Sequence, residues 1–257
     1  MGICFVTRLR TSVTNSSLPK FNTLYVEANL PTHDTATKIE FSLITTVANA
    51  DVTHLKIVGG AGNFISPDSG VDLSNDVLLN KMKVLRKVIV GGNDYYEYLV
   101  HASLGKYTIE IENKEDFIGI IAKSYGGISF DVGTLKYLKK LYIVNINKDN
   151  FGTNNAKGDI SALSNKSYLT HVYLSYCNVT GNIDSLAGNT NLTEIGIAST
   201  AVEGSIESFA SKQISAGRTS GTVLFRAENS RVTYNGQILK KRINVTYNQN
   251  SYSVADA

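Results

Sequence analysis

The side chains able to do chemistry are few and far apart. The four histidines, His33, His54, His101 and His171, form no H-E-x-x-H pair, and no two cysteines stand at zinc spacing, so the sequence offers no metal site. Gly59-Gly60-Ala61-Gly62 follows an expected strand, but no Gly-Lys-Ser/Thr or G-x-G-x-x-G accompanies it, and it reads as a loop turn rather than a phosphate cradle. There is no G-x-S-x-G elbow, and neither Cys4 nor Cys177 lies in a context that would lower a thiol pKa. Glu110 with Glu112 and Glu115 with Asp116 are carboxylate pairs. A glycosidase needs two such groups at a set separation across a cleft, which adjacency in sequence does not supply. The expectation is a protein that is not an enzyme and carries no cofactor.

The elements that would position these residues belong to a folded, strand-rich chain. Its 257 residues allow one large domain or two small ones, with 42% hydrophobic and 18% charged residues, which excludes a disordered tail and a coiled coil. No apolar run approaches the roughly 20 residues of a membrane span. Asn, Ser and Thr number 24, 24 and 22, beside 14 Tyr and no Trp, a make-up suited to an exposed β-rich surface. The formal charge of +3 is too small to argue for nucleic acid. From Lys212 onward, seven basic residues face only Glu228 and Asp256, which reads either as a docking tail or as a self-repelling edge. Two cysteines cannot make a disulfide framework, and Arg8 and Arg10 interrupt the opening segment before a secretory core could form. Five N-x-S/T sequons, at Asn15, Asn165, Asn178, Asn191 and Asn244, are expected by chance in this composition.

An internal repeat carries the fold argument. Gly158-Asp159-Ile160-Ser161-Ala162-Leu163 recurs as Gly181-Asn182-Ile183-Asp184-Ser185-Leu186 and as Gly204-Ser205-Ile206-Glu207-Ser208-Phe209, each 23 residues on. Leu169, Val172, Leu174 and Val179 correspond to Leu192, Ile195, Ile197 and Val202. The pattern is L-x-x-L-x-L-x-x-N/C-x-L, with Cys177 at the Asn/Cys position and Thr200 there in the next unit, and the chain so resembles the leucine-rich-repeat family. Further matches stand at Val52-Leu55-Ile57, Leu85-Val88-Val90 (with Asn93 at the Asn position), Leu104-Tyr107-Ile109 and Leu138-Leu141-Ile143. Starts are separated by 33, 19, 34, 31 and 23 residues, so the upstream units are irregular.

The resemblance implies an α/β, β-rich fold: an irregular leucine-rich-repeat solenoid, a parallel sheet with short convex helices, closed by β-rich terminal caps. Helical spacing predicts convex helices from Ser74 through Leu85 and from Asn113 through Ile121, and a last helix from Ser205 to Ser215 stopped by Gly217. Strands are expected at Ile3 to Arg10, Thr23 to Ala28, Lys38 to Ile44, Thr222 to Arg226, Arg231 to Tyr234 and Ile243 to Tyr247, with a hairpin at Asn235-Gly236. This gives residues 1–48 as an N-terminal β cap or attachment region, 49–209 as the solenoid and 210–257 as a C-terminal helix end and β-hairpin cap.

A solenoid presents the outward residues of its strands as one concave surface. The register places His54, Lys87, Lys106, Lys140, His171 and Glu194 in one ladder, and Lys56, Tyr142 and Tyr173 in the next, with Tyr176 close by. Flat Tyr faces and a basic ladder suit a glycan, a protein or an acidic partner; the same residues also read as ordinary solvated strand positions.

Val6-Thr7-Arg8-Leu9-Arg10, Leu18-Pro19-Lys20, the G-D-I-S-A-L repeats, Gly217-Arg218-Thr219-Ser220-Gly221 and Tyr234-Asn235-Gly236 together resemble small repeat proteins of Bacteroidales phages, including crAss-like phages. That resemblance implies a structural or decorating component of a tailed-phage virion, in head or tail. It would be made in the host cytoplasm without a signal peptide. Its partners would be other virion proteins (capsid, portal or tail subunits), a host-surface glycan or protein, and further copies of itself as a homo-oligomer. The competing expectation is a bacterial cell-surface or extracellular leucine-rich-repeat binding protein.

Overall fold

The computed structural model describes residues 24–28, 38–58, 64–65, 72–73, 76–103, 107–122, 128–147, 154–235, 244–247 and 250–252. Expectations placed on Ile3 to Arg10, Cys4, Gly59 to Gly62, Lys106 and Gly236 lie outside them. The fold is α/β and strand-rich, with two mixed sheets and few helices.

In the amino-terminal half the strands are β1 (Leu24–Ala28), β2 (Lys38–Thr45), β3 (His54–Val58), β4 (Phe64–Ile65), β5 (Asp72–Leu73), β6 (Asp76–Leu78), β7 (Lys83–Val90), β8 (Asn93–Ser103), β9 (Tyr107–Ile111) and β10 (Gly119–Ala122). Helix α1 (Val47–Val52) is capped by Thr46, whose side chain accepts from the Asn49 N–H. β1 alternates: Leu24 and Val26 are buried while Glu27 is exposed, as a strand with one core face should. From Phe41 to Thr45, β2 is buried on both faces.

The carboxy-terminal half contains β11 (Ile128–Asp131), β12 (Ile143–Asn145), β13 (Asn155–Asp159), β14 (His171–Tyr173), β15 (Asn178–Asn182), β16 (Glu194–Gly196), β17 (Ala201–Ser205), β18 (Thr222–Arg226), β19 (Arg231–Thr233), β20 (Asn244–Tyr247) and β21 (Asn250–Tyr252), with helix α2 at Ile206–Ser215. Sheet I runs β19-β17-β15-β13-β11-β1-β9-β3-β6. Sheet II runs β21-β20-β18-β16-β14-β12-β10-β2-β8-β4-β5, with β7 also paired to β8. From β11 onward the chain coils: a short strand in sheet II, a turn, a strand in sheet I, a 3-10 turn, and back. Val144, Val172, Ile195 and Phe225 stand opposite one another in parallel register and are fully buried. One core, from Leu24 to Val232, lies between the sheets.

The glycine-led repeat has a steric cause. Asp131, Asp159 and Asn182 each cap the next 3-10 turn, accepting from Gly133 N, Ser161 N and Asp184 N at 2.8, 2.8 and 2.9 Å. Gly158, Gly181 and Gly204, at φ +105°, +106° and +118°, lie against the cap of the preceding coil. A Cβ at Gly158 would stand 2.6 Å from Asp131 Oδ1, and one at Gly204 2.6 Å from Asn182 Oδ1, so both backbone angle and space demand glycine. The following isoleucines, Ile160, Ile183 and Ile206, are fully buried.

Several expectations need correction. The upstream pattern matches are not stacked coils: Val52 belongs to α1, β3 is antiparallel to β9 and β6, and β7 is antiparallel to β8. Asn93 is the exposed first residue of β8, and its side chain donates to the Gly91 carbonyl. Three apolar residues in L-x-x-L-x-L describe any short strand with a buried face, and the direction of its neighbours is set elsewhere. Asp76 to Leu85 forms β6, a 3-10 turn at Leu79–Lys81 and the start of β7 instead of a helix. Asn113 to Ile121 likewise forms a 3-10 turn at Lys114–Asp116 and then β10. Phe117 to Ile121 is buried throughout, which a strand inside a covered sheet satisfies and an amphipathic helix does not. There is no break at residue 48: β1 joins β9 to β11 and β2 joins β8 to β10, so these strands are interior members of both sheets rather than a cap. β19 and β20 lie in different sheets, and the terminal hairpin is β20 with β21. Helix α2 forms where expected, with Ser205 accepting from Ser208 N at 3.3 Å and Gly217 at φ +99° past its end.

Candidate functional site

The outward ladders of sheet II follow from the observed register. One is Ile143, His171, Glu194 and Leu224; the other is Asn145, Tyr173, Gly196 and Arg226. The frame Leu138-Leu141-Ile143 is therefore displaced by three residues from the true one, Leu141-Val144-Ile146, whose side chains are all buried. Lys140 precedes β12, and its Nζ binds Asp116 Oδ1 at 2.7 Å. Tyr142 is also just outside the strand, yet its ring meets His171 edge-on, with centroids 6.1 Å apart.

Four of the expected contact residues come together: Tyr142, His171, Tyr173 and Glu194. The others do not join them. His54 and Lys56 are on β3, in sheet I, beyond β9. Lys87 is on β7, bound to Asp94 at 2.7 Å. Tyr176 is 58% exposed in the turn after β14, at φ +60°. Lys106 lies outside the described residues.

The strip has an internal order. Tyr173 Oη donates to Glu194 Oε2 at 2.6 Å, and Arg226 Nη2 stands 2.9 Å from Glu194 Oε1, so the carboxylate is held from both sides and its charge is balanced. His171 leans on Tyr173, with ring centroids 5.7 Å apart. The Thr170 hydroxyl lies 3.2 Å from the Tyr142 carbonyl and 2.7 Å from His171 Nδ1, and so ties the imidazole to the neighbouring coil. Burial lowers the His171 pKa, opposed by the Glu194 charge; burial, then the hydrogen bond to Glu194, raises that of Tyr173. At neutral pH the strip is a row of uncharged rings ending in a compensated ion pair. A Cβ on Gly196 would stand 3.3 Å from Tyr173 Cδ1, so this glycine gives the ring its resting place.

The β7–β8 hairpin bounds the strip. Val90 and Tyr95, with Val88, fold over the outer face of sheet II onto Ile44, Ile118, Ile121, Tyr142 and Ile143, a second apolar cluster outside the main core. At its tip Gly91 (φ +56°) abuts the Tyr168 ring; a Cβ there would lie 2.7 Å from Cε1. The open floor then runs from Tyr142 across three strand spacings, about 15 Å at 4.8 Å each.

Sequence reading missed Arg226, Thr170 and the hairpin. Helix α2 stretches the step from Ile195 to Phe225 and hides the repeat, in which Phe225-x-Ala227 takes the place of Val172-x-Leu174. Gly91-Gly92 between the β-branched run Val88-Ile89-Val90 and the Tyr-rich run that follows was the hairpin signal. The basic carboxy-terminal segment is partly internal: Arg218 is buried and donates to the Leu192 carbonyl at 2.6 Å, and Lys212 binds Asp184 at 2.7 Å. Among the described residues no three His, Cys, Asp or Glu side chains are grouped to hold a metal ion, and no helix is long and apolar enough to cross a membrane. No protein-family model matches the chain, and no curated protein sequence matches it.

Proposed function

We propose that the chain is a non-enzymatic binding module in which residues 128–235 form a leucine-rich-repeat solenoid, and that it serves as a decorating component of a tailed-phage virion, contacting a glycan through the Tyr142–Arg226 strip. The observation that carries the binding reading is the Tyr142, His171, Tyr173, Glu194 and Arg226 array, contributed by successive coils and joined into one surface by ring contacts, a hydrogen bond and an ion pair. Flat uncharged rings offer apolar faces to pyranose C–H groups, and the fixed Glu194–Arg226 pair offers adjacent acceptors and donors to vicinal hydroxyls. Both Glu194 oxygens are engaged, which suits holding a ligand better than transferring a proton. The virion setting rests on the resemblance to phage repeat proteins, and the Asn-, Ser- and Thr-rich surface agrees with it.

Two measurements test the proposal. Peptides of the chain should co-purify with gradient-isolated particles at a fixed ratio to the major capsid protein. Recovery only from the cell envelope or medium would favour a bacterial surface or secreted binding protein. On a glycan array the intact protein should bind a defined set of neutral glycans, and Tyr173→Ala should abolish it. Binding unchanged by Tyr173→Ala would remove the strip from the account, and absence of any glycan signal would leave a protein partner as the reading to pursue.

A further inference from the structure

Strand β7 reads Lys83-Val84-Leu85-Arg86-Lys87-Val88-Ile89-Val90, and among the described residues it pairs with β8 alone. Its other edge, broken by a register shift between Val84 and Arg86, exposes apolar side chains: Ile89 is 67% exposed, Val84 48% and Leu85 39%. Natural proteins blunt such edges or use them, because the open N–H and C=O groups template another strand.

The two-residue turn at Gly91-Gly92 determines which backbone groups are open. Val90 opposite Asn93 closes the turn as a hydrogen-bonded pair, so Val88 opposite Tyr95 and Arg86 opposite Glu97 are also hydrogen-bonded pairs. Lys87 and Ile89 then direct their N–H and C=O groups away from β8. Charge does not close this edge to a like strand. Arg86 Nε lies 2.6 Å from Glu97 Oε2 and Lys87 Nζ 2.7 Å from Asp94 Oδ2, so both cations are balanced within their own hairpin.

We infer that β7 pairs antiparallel with β7 of a second copy of this chain, about a two-fold axis at Val88. The open groups must face open groups, which allows axes at Arg86, Lys87, Val88 or Ile89. An axis at Arg86 or Lys87 sets two like cations directly opposite, which destabilises a sheet. An axis at Ile89 leaves Lys87 opposite the turn glycine Gly91 and shortens the pairing. The Val88 axis sets Lys87 opposite the partner's Ile89, Arg86 opposite the partner's Val90 and Val88 opposite its symmetry mate. It forms four main-chain hydrogen bonds and brings the two Ile89 side chains into diagonal contact. The result is an isologous dimer in which sheet II continues through β8 and β7 into the second molecule.

Sedimentation equilibrium on the full chain from about 1 to about 100 µM tests this, with melting temperature as the control for folding. The wild type should dimerise. Ile89→Lys sets a lysine opposite the partner's Lys87 and should weaken the dimer at least about tenfold while the monomer stays folded. The double variant Ile89→Lys/Lys87→Glu sets opposite charges across both pairs and should recover affinity to within about threefold of wild type. A chain that is monomeric at the top of the range overturns the inference, as does a dimer that Ile89→Lys leaves unchanged, or one that the double variant fails to restore. None of these outcomes bears on glycan binding, whose strip starts on the other side of the hairpin's apolar cluster.

Discussion

Gly181 and Asp159 occupy one space, coil against coil: the Asp159 carboxylate that caps Ser161 N lies where a side chain at residue 181 would begin. The 23-residue period is thus a packing requirement passed from each unit to the next. Gly181→Ala must relieve both a left-handed φ of +106° and this overlap, and should cost about 2 kcal/mol or more. Gly92→Ala, at φ +78° with open space around it, should cost only about 1 kcal/mol. Urea unfolding of the two variants would measure the difference, and equal losses would contradict the overlap.

Leu174 is fully buried between the sheets, as its place in the repeat predicts. Leu174→Asp should lose about 3 kcal/mol or more and unfold at least the carboxy-terminal coils, seen as a lowered melting temperature by circular dichroism.

Tyr173→Phe keeps the ring and removes the hydroxyl that Glu194 accepts at 2.6 Å. Stability should fall by about 1 kcal/mol, and by the same amount in an Arg226→Ala background if the two donors act independently on one carboxylate. A double-mutant cycle read by thermal melts would show whether the two are coupled.

Lys166 is buried, and burial pushes its pKa down from 10.5 to about 8, with its Nζ directed at the Lys136 carbonyl. Between about pH 8 and 10.5 the unfolded chain holds this proton more than the folded one, so stability rises with pH across that window. Wild type should gain on Lys166→Met as pH climbs from 8 to 10, in paired denaturation curves. A gap that stays constant would show the ammonium to be solvated.

His171 has the same sign at lower pH. Its folded pKa is lowered by burial, so the unfolded state takes up the proton first as pH falls past 6.5, and stability is lost. The melting temperature of wild type should drop more than that of His171→Phe between about pH 7.5 and pH 5.5.

The parts legible in sequence were those fixed by neighbours in sequence. The glycine-led repeat, the buried Leu169-Val172-Leu174 set, and α2 between Ser205 and Gly217 each follow from local sterics, caps and spacing. The upstream half was not legible because strand direction is decided by partners far along the chain. Nothing near Leu55 says that β3 will lie antiparallel to β9. The Leu138 frame failed for a smaller reason: Leu138-Leu141-Ile143 and Leu141-Val144-Ile146 both fit the pattern, and only pairing with Val172 selects between them. That shift moved Lys140 off the strip. In the same way, the half of the ion pair contributed by Arg226 was concealed by the length of α2.

The interior position of β1 and β2 has a consequence for assembly order. β1 must wait for β9 and β11, and β2 for β8 and β10, all made about 50 residues or more afterwards. β2 has both neighbours only once about residue 122 has left the ribosome and β1 only once about residue 131 has, and until then their apolar faces stay unsatisfied. The later coils obey another rule: each rests on the one before it and can be laid down in turn. Synthesis therefore meets one slow, all-at-once closure followed by rapid stepwise growth. Losing a coil from the growing end would shorten the protein, whereas losing residues 24–45 would deprive both sheets of the strand on which growth begins.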